Sequence, residues 1–103
     1  MNTEKFEAEI IEISKTYFLV LKKINANFFS SGDVDETSPF YLYYLDVEKT
    51  FSELKSEYKR IINNEYFYQA FSNWWISDYT PQEFKKAKRL AIKSFLEVFH
   101  EIH

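Results

Sequence analysis

Between positions 81 and 93 the chain carries Lys85, Lys86, Lys88, Arg89 and Lys93 against a single acid, Glu83. A local charge of +4 in a chain of net charge −3 is a concentrated cationic feature. The chemistry such a group can do is to neutralise phosphates, without covalent steps. At about 100° per residue, Lys85, Lys86, Arg89 and Lys93 occupy an arc apart from Phe84, Ala91, Phe95, Phe99 and Ile102. The bases come early and the acids Glu97 and Glu101 late, the reverse of what a helix dipole favours. Helix stability therefore does not account for their placement. The ordinary alternative is a solvated basic face.

Other residues with chemical potential are fewer. His100 and His103, three apart, could meet on one helical face, with Glu97 and Glu101 nearest as further ligands; a frayed terminus is the simpler expectation. Asp33, Asp35 and Glu36 cluster around the only glycine, Gly32, but lack the alternating carboxylates and distal glutamate of a calcium loop. They read as a solvated turn. Without cysteine there is no thiol nucleophile, disulfide or cysteine-ligated zinc, which suits a reducing cytoplasm. No glycine-rich phosphate loop or nucleophile elbow is present. The expectation is a cytoplasmic, non-catalytic protein that uses no cofactor and binds no metal.

The elements that position the basic arc follow from apolar spacing. The chain has 103 residues, enough for one core, and aromatics make up 20% of it. One glycine and two prolines leave little turn chemistry for a many-stranded sheet. Residues 1–50 carry five Lys/Arg and nine Asp/Glu, and residues 51–103 eight and seven, so anion recognition has to be local. Met1 to Glu12 holds four acids and one lysine, unlike a secretory leader, and the run Tyr17 to Leu21 is too short to span a bilayer.

Phe6, Ile10, Ile13, Tyr17, Val20, Ile24 and Phe28 step by fours and threes, which predicts a helix from about 3 to about 29 with Thr3 as N-cap and Glu4 and Glu7 at its positive end. Ile11, Phe18, Leu21 and Phe29 widen its apolar stripe enough for more than one neighbour. Residues 31–37 form an acidic loop. Ser38-Pro39 opens a second helix, and Ser56-Glu57-Tyr58 restarts one. EYFYQAFSNWWIS, from Glu65, reads as a further helix ending near Asp78. Trp74 and Trp75 are adjacent, so one faces the core and the other lies nearer the surface. Thr80-Pro81 with Glu83 makes a capping box, and the last helix runs to about 101. The fold class is all-α, a single compact domain of four to five helices, with the first helix lying across the C-terminal unit.

Val47 to Phe99 resembles region 4 of the sigma factor family, a helix-turn-helix module, and small sigma-like proteins of wall-less and other low-GC bacteria. Tyr79-Thr80 match the closure of the turn, Phe84 the first apolar position, and Lys85, Lys86, Lys88 and Arg89 the basic positions. Ala91 matches the packing alanine and Phe95-Leu96 the helix end, while Phe51 to Ile62 resembles the paired helices before the turn. Trp74-Trp75 and Ser77-Asp78 stand where the family has a small residue and a glycine. The resemblance implies a DNA-binding transcription regulator or sigma-like accessory factor, with RNA polymerase as a further partner. The helix from Pro81 would enter the major groove. Gln82 and Lys86 would face base edges, Lys85, Arg89 and Lys93 would meet phosphates, and Thr80, at the closure of the turn, would be a DNA-binding residue with them. The other reading is a helical protein–protein interaction module that contacts its partner through Phe18, Phe28 or Trp75. In either case the 4-3-4-3 spacing of the first helix could support an antiparallel homodimer.

Overall fold

The computed structural model describes residues 3–32 and 35–103, with side chains from Lys5 onward. Thr3 as a cap, the position of the Glu4 carboxylate and Asp33 of the acidic loop lie outside the described residues. Four α-helices and one π turn make up the regular structure, with no strand among the described residues: α1 (Thr3–Ser31), α2 (Pro39–Ser52), α3 (Ser56–Ile62), the π turn (Asn63–Phe67) and α4 (Pro81–Ile102). The all-α expectation holds, and the first helix crosses the C-terminal unit as its wide stripe requires.

Local chemistry sets the helix starts. The Ser38 hydroxyl accepts from the Phe40 amide at 3.2 Å, and Pro39 occupies the first turn of α2. Thr80 and Glu83 form the reciprocal box at α4, with the Thr80 amide donating to Glu83 at 2.9 Å and the Glu83 amide to the Thr80 hydroxyl at 3.2 Å. α3 begins without a side-chain cap. It is held instead by packing of Ile61 and Ile62, both fully buried.

The core gathers Ile10, Ile13 and Tyr17 of α1, Val47 and Leu54 around α2, Ile61 and Ile62 of α3, and Phe84, Ala91, Ile92, Phe95, Leu96 and Phe99 of α4. Phe95 is its centre, 0% exposed, with Phe51, Phe67 and Phe99 around it at ring separations of 5.4, 5.9 and 6.1 Å. Offset and edge-on packing of this kind adds to area burial. Thr50, the one fully buried polar side chain among those described, satisfies its hydroxyl on the Asp46 carbonyl at 2.7 Å.

The helix expected over 65–78 is not formed. Asn63–Phe67 makes one π turn, closed by the Tyr68 amide on the Asn63 carbonyl at 2.9 Å, and residues 68–80 are irregular. The turn suits the sequence because Ile61 and Tyr66, and Ile62 and Phe67, are each five apart and all four are buried. Asn73 then takes a left-handed φ of 61°, and the Ile76 amide returns to its carbonyl at 3.1 Å. Asparagine tolerates that conformation better than most residues.

The end of α4 is tied down, contrary to the frayed terminus expected from sequence. His100 Nε2 lies 2.5 Å from a Glu9 carboxylate oxygen on α1, and His103 Nδ1 lies 2.8 Å from one of Asp46 on α2. The two histidines face different helices, so they do not meet as a ligand pair. No group of three or more potential metal ligands exists among the described residues.

Candidate nucleic-acid interface on the last helix

Phe84, Ala91, Ile92, Phe95 and Phe99 anchor α4 to the core, which turns its other side outward. Lys85, Arg89 and Lys93 form one i, i+4, i+8 row about 12 Å long. All three are exposed, as are Gln82 and Lys86 in the adjoining row. Among the described residues, Lys85, Lys86, Arg89 and Lys93 make no ion pair. Thr80 is exposed too, but its hydroxyl oxygen and amide are engaged in the capping box. Its role is to start the helix.

Lys88 is different. It stands four residues after Phe84 and four before Ile92, inside the apolar arc, and its ammonium turns inward. It lies 3.0 Å from a Glu65 oxygen and 3.3 Å from a Glu7 oxygen, and 5.4 Å from the centre of the Tyr66 ring. The Tyr66 hydroxyl donates to Glu7 at 2.5 Å, and the Trp74 indole N–H donates to Glu65 at 2.9 Å. This network joins α1, the π turn, the irregular segment and α4. The matched basic position at Lys88 therefore serves the fold, and its place in the Phe84–Lys88–Ile92 row is the sequence signal for that.

The start of α4 is less cationic than the sequence count suggests. A groove of about 380 Å³ between α3 and α4 is lined by Glu57, Tyr58, Asp78, Tyr79, Glu83 and Lys86. Its acids are engaged internally. Glu57 accepts from the Tyr79 hydroxyl at 2.6 Å, Asp78 pairs with Arg60 at 3.0 Å, and Glu83 caps the Thr80 amide. Glu57 and Glu83 still carry negative charge beside Lys86, so the Lys85–Arg89–Lys93 row is the more positive part of the face.

The three residues named for a protein partner are scattered. Phe18 is half-buried against Tyr17, Phe67 and Tyr68. Trp75 stacks on Phe84 with ring centres 4.5 Å apart and planes 7° apart. Phe28 alone is exposed, at 45%, near the far end of α1. The structure does not bring them together. Trp74 is buried and Trp75 half-buried, the division expected for adjacent tryptophans.

The chain matches no family model, no curated protein and no solved structure in comparisons with known proteins. Residues 68–80 join the π turn to α4, longer than the 3–4-residue turn of a helix-turn-helix. No described helix is long and apolar enough to cross a membrane.

Tyrosine–glutamate contacts make the fold sensitive to alkali. Burial, then the hydrogen bond to Glu57, pushes the Tyr79 phenol up to about 12. Burial first and a glutamate second also push Tyr17 (Glu48) and Tyr66 (Glu7) up from 10. The unfolded chain releases these protons near pH 10, while the folded chain holds them further. Stability is thus complete below about pH 10 and falls as pH rises through the folded values. Thermal melts by circular dichroism between pH 9 and 11.5 should show this fall, and Tyr66→Phe should flatten it. An unchanged slope in Tyr66→Phe would remove Tyr66 from the account.

Proposed function

We propose that the protein is a non-catalytic DNA-binding regulator or sigma-like accessory factor that contacts duplex phosphates through the outer face of α4. What supports this reading is the row of Lys85, Arg89 and Lys93, with Lys86 beside it, exposed and making no ion pair among the described residues. Such a row carries counterion-release affinity, while Gln82 and Lys86 supply the polar groups for base edges. RNA polymerase is the natural second partner of a factor of this kind.

Fluorescence anisotropy with an AT-rich duplex at low salt tests the proposal. Three neutralised phosphates give a log–log salt slope of roughly −2.7. Lys86→Glu/Arg89→Glu should lower affinity at least about ten-fold and make the slope shallower by about one. Absence of binding at tens of micromolar protein in low salt would sink the reading.

One observation favours the second reading, a protein-interaction module. α1 packs on α2, with Tyr17 stacked on Tyr44 and bonded to Glu48, and this two-helix arm leaves Phe28, Phe29, Phe40, Leu42 and Leu45 exposed. Apolar exposure on that scale is more than scattered surface residues usually give. Pull-down with and without nuclease separates the two, since a contact through the arm survives both nuclease and the Lys86/Arg89 reversal.

A further inference from the structure

The outer side of α1 is a second stripe, opposite the one that feeds the core. Ala8, Ile11, Lys15, Leu19, Lys22, Ala26 and Phe29 step by threes and fours, and every one is exposed. Ile10, Ile13, Ser14, Tyr17 and Val20, between them, are buried. Leu19 is 62% and Phe29 84% exposed, large apolar side chains that the domain itself leaves open to solvent.

The order of residues along this stripe is informative. Positions 8 and 29, 11 and 26, and 15 and 22 lie at equal distances from a point between Phe18 and Leu19. Reversed and laid on itself, the stripe sets Phe29 opposite Ala8 and Ile11 opposite Ala26. Large residues then meet small ones, which lets two helices close to 8–10 Å. Lys15 faces Lys22, where their stems pack and their ammonium groups reach outward. Glu12 falls within one turn of Lys22 and Lys23 of the second copy. Within one chain Glu12 has only a loose contact with Lys15, at 3.8 Å.

We propose that the protein forms a two-fold dimer through the outer face of α1, paired antiparallel with a second copy about an axis at Phe18–Leu19. Size fits this occupant, and Glu12 near Lys22 and Lys23 of the second copy offsets the facing lysines; one surface supplies both halves of each contact, as a two-fold interface requires. The exposed Ile, Leu, Phe and Ala surfaces with the lysine stems offer on the order of 500 Å² per copy, about 1,000 Å² in all. That is the lower end of a specific interface, so a micromolar dimer is expected. It leaves the basic face of α4 free in each copy and does not depend on the nucleic-acid reading.

The whole chain supplies the test, because it has no cysteine of its own. Sedimentation at tens of micromolar should give about twice 12.5 kDa. Leu19→Glu, at an exposed position, should keep the circular dichroism spectrum and raise the dissociation constant at least about ten-fold. With a short bifunctional maleimide, Leu19→Cys should crosslink to itself. Ala8→Cys and Phe29→Cys should each stay uncrosslinked alone and crosslink when mixed. Three results would overturn the proposal: a 12.5 kDa species at that concentration, a dimer untouched by Leu19→Glu, or self-crosslinking of Ala8→Cys, which would mark parallel pairing.

Discussion

Replacing Phe95 by alanine will cost about 3–5 kcal/mol of folding stability. The side chain is fully buried where α2, the π turn and α4 meet, and three further phenylalanine rings surround it. Those rings are held by separate elements, so they cannot all collapse into the space, and a cavity term adds to the lost transfer energy. A domain of this size has roughly 5–15 kcal/mol in total, so the variant should melt tens of degrees lower or be unfolded at 37 °C. Phe95→Leu keeps most of the volume and should cost about 1–2 kcal/mol. Urea unfolding followed by tryptophan fluorescence measures both, and equal costs for the two variants would show that the site relaxes freely.

Lys88→Met carries the second large effect. It leaves the aliphatic stem and removes the charge between Glu7 and Glu65, whose side chains are 39% and 21% exposed. A fully buried pair broken on one side costs about 3–5 kcal/mol; discounted for this partial exposure, about 2 kcal/mol is expected, or a melting point lower by roughly 10 °C. Adding Glu65→Gln should recover part of the loss, because one of the two uncompensated carboxylates is then gone while the Trp74 N–H keeps an acceptor. No recovery in the double variant would mean that Lys88 acts by packing alone. The same site responds to acid. The Tyr66 hydroxyl, and then Lys88, hold the Glu7 carboxyl below its usual value of 4.5 despite partial burial. Glu7 therefore contributes stability above about pH 4.5, and this is lost as pH falls through its lower folded value.

Most helix boundaries could be read from the chain because local chemistry sets them. Ser38-Pro39 and Thr80-Pro81-Gln82-Glu83 satisfy the free amides of a first turn within a few residues of themselves. α1 shows its period over its whole length, and Tyr17, Ile13 and Ile10 are buried as that period requires. Residues 65–78 could not be read this way. Glu65 to Ser77 contains no glycine or proline, and its aromatic spacing permits an α-helix. What decides its path is tertiary: Phe67 packs on Phe51 and Phe95, Glu65 turns toward Lys88, and Trp74 turns toward Glu65 and Phe84. Asn73 takes a positive φ there, and no neighbouring glycine or proline marks the place in the sequence.

The candidate site divides along the same line. Exposure of Lys85, Lys86, Arg89 and Lys93 follows from their angle to Phe84, a property of one helix. The internal use of Lys88 depends on Glu7, far away in sequence, although its place in the apolar row pointed inward. Thr80 was legible as a cap, and that task engages its hydroxyl oxygen. The scattering of Phe18, Phe28 and Trp75 depends on how α1, the irregular segment and α4 pack, which no local pattern records.

The π turn at Asn63–Phe67 amounts to one surplus residue lodged in what would otherwise continue α3. It acts as a phase keeper. Wound as ordinary α-helix with the same residues, the chain would carry Tyr66 and Phe67 about 100° further round the axis. Tyr66 would then swing away from Glu7, and Phe67 would leave the aromatic centre. Without one of Asn63 or Asn64, Ile61 and Tyr66, and Ile62 and Phe67, stand four apart, the spacing that shares one face of an α-helix. The wide turn therefore absorbs a residue that the buried face does not use, and the segment should tolerate its loss better than a change of winding at the same length.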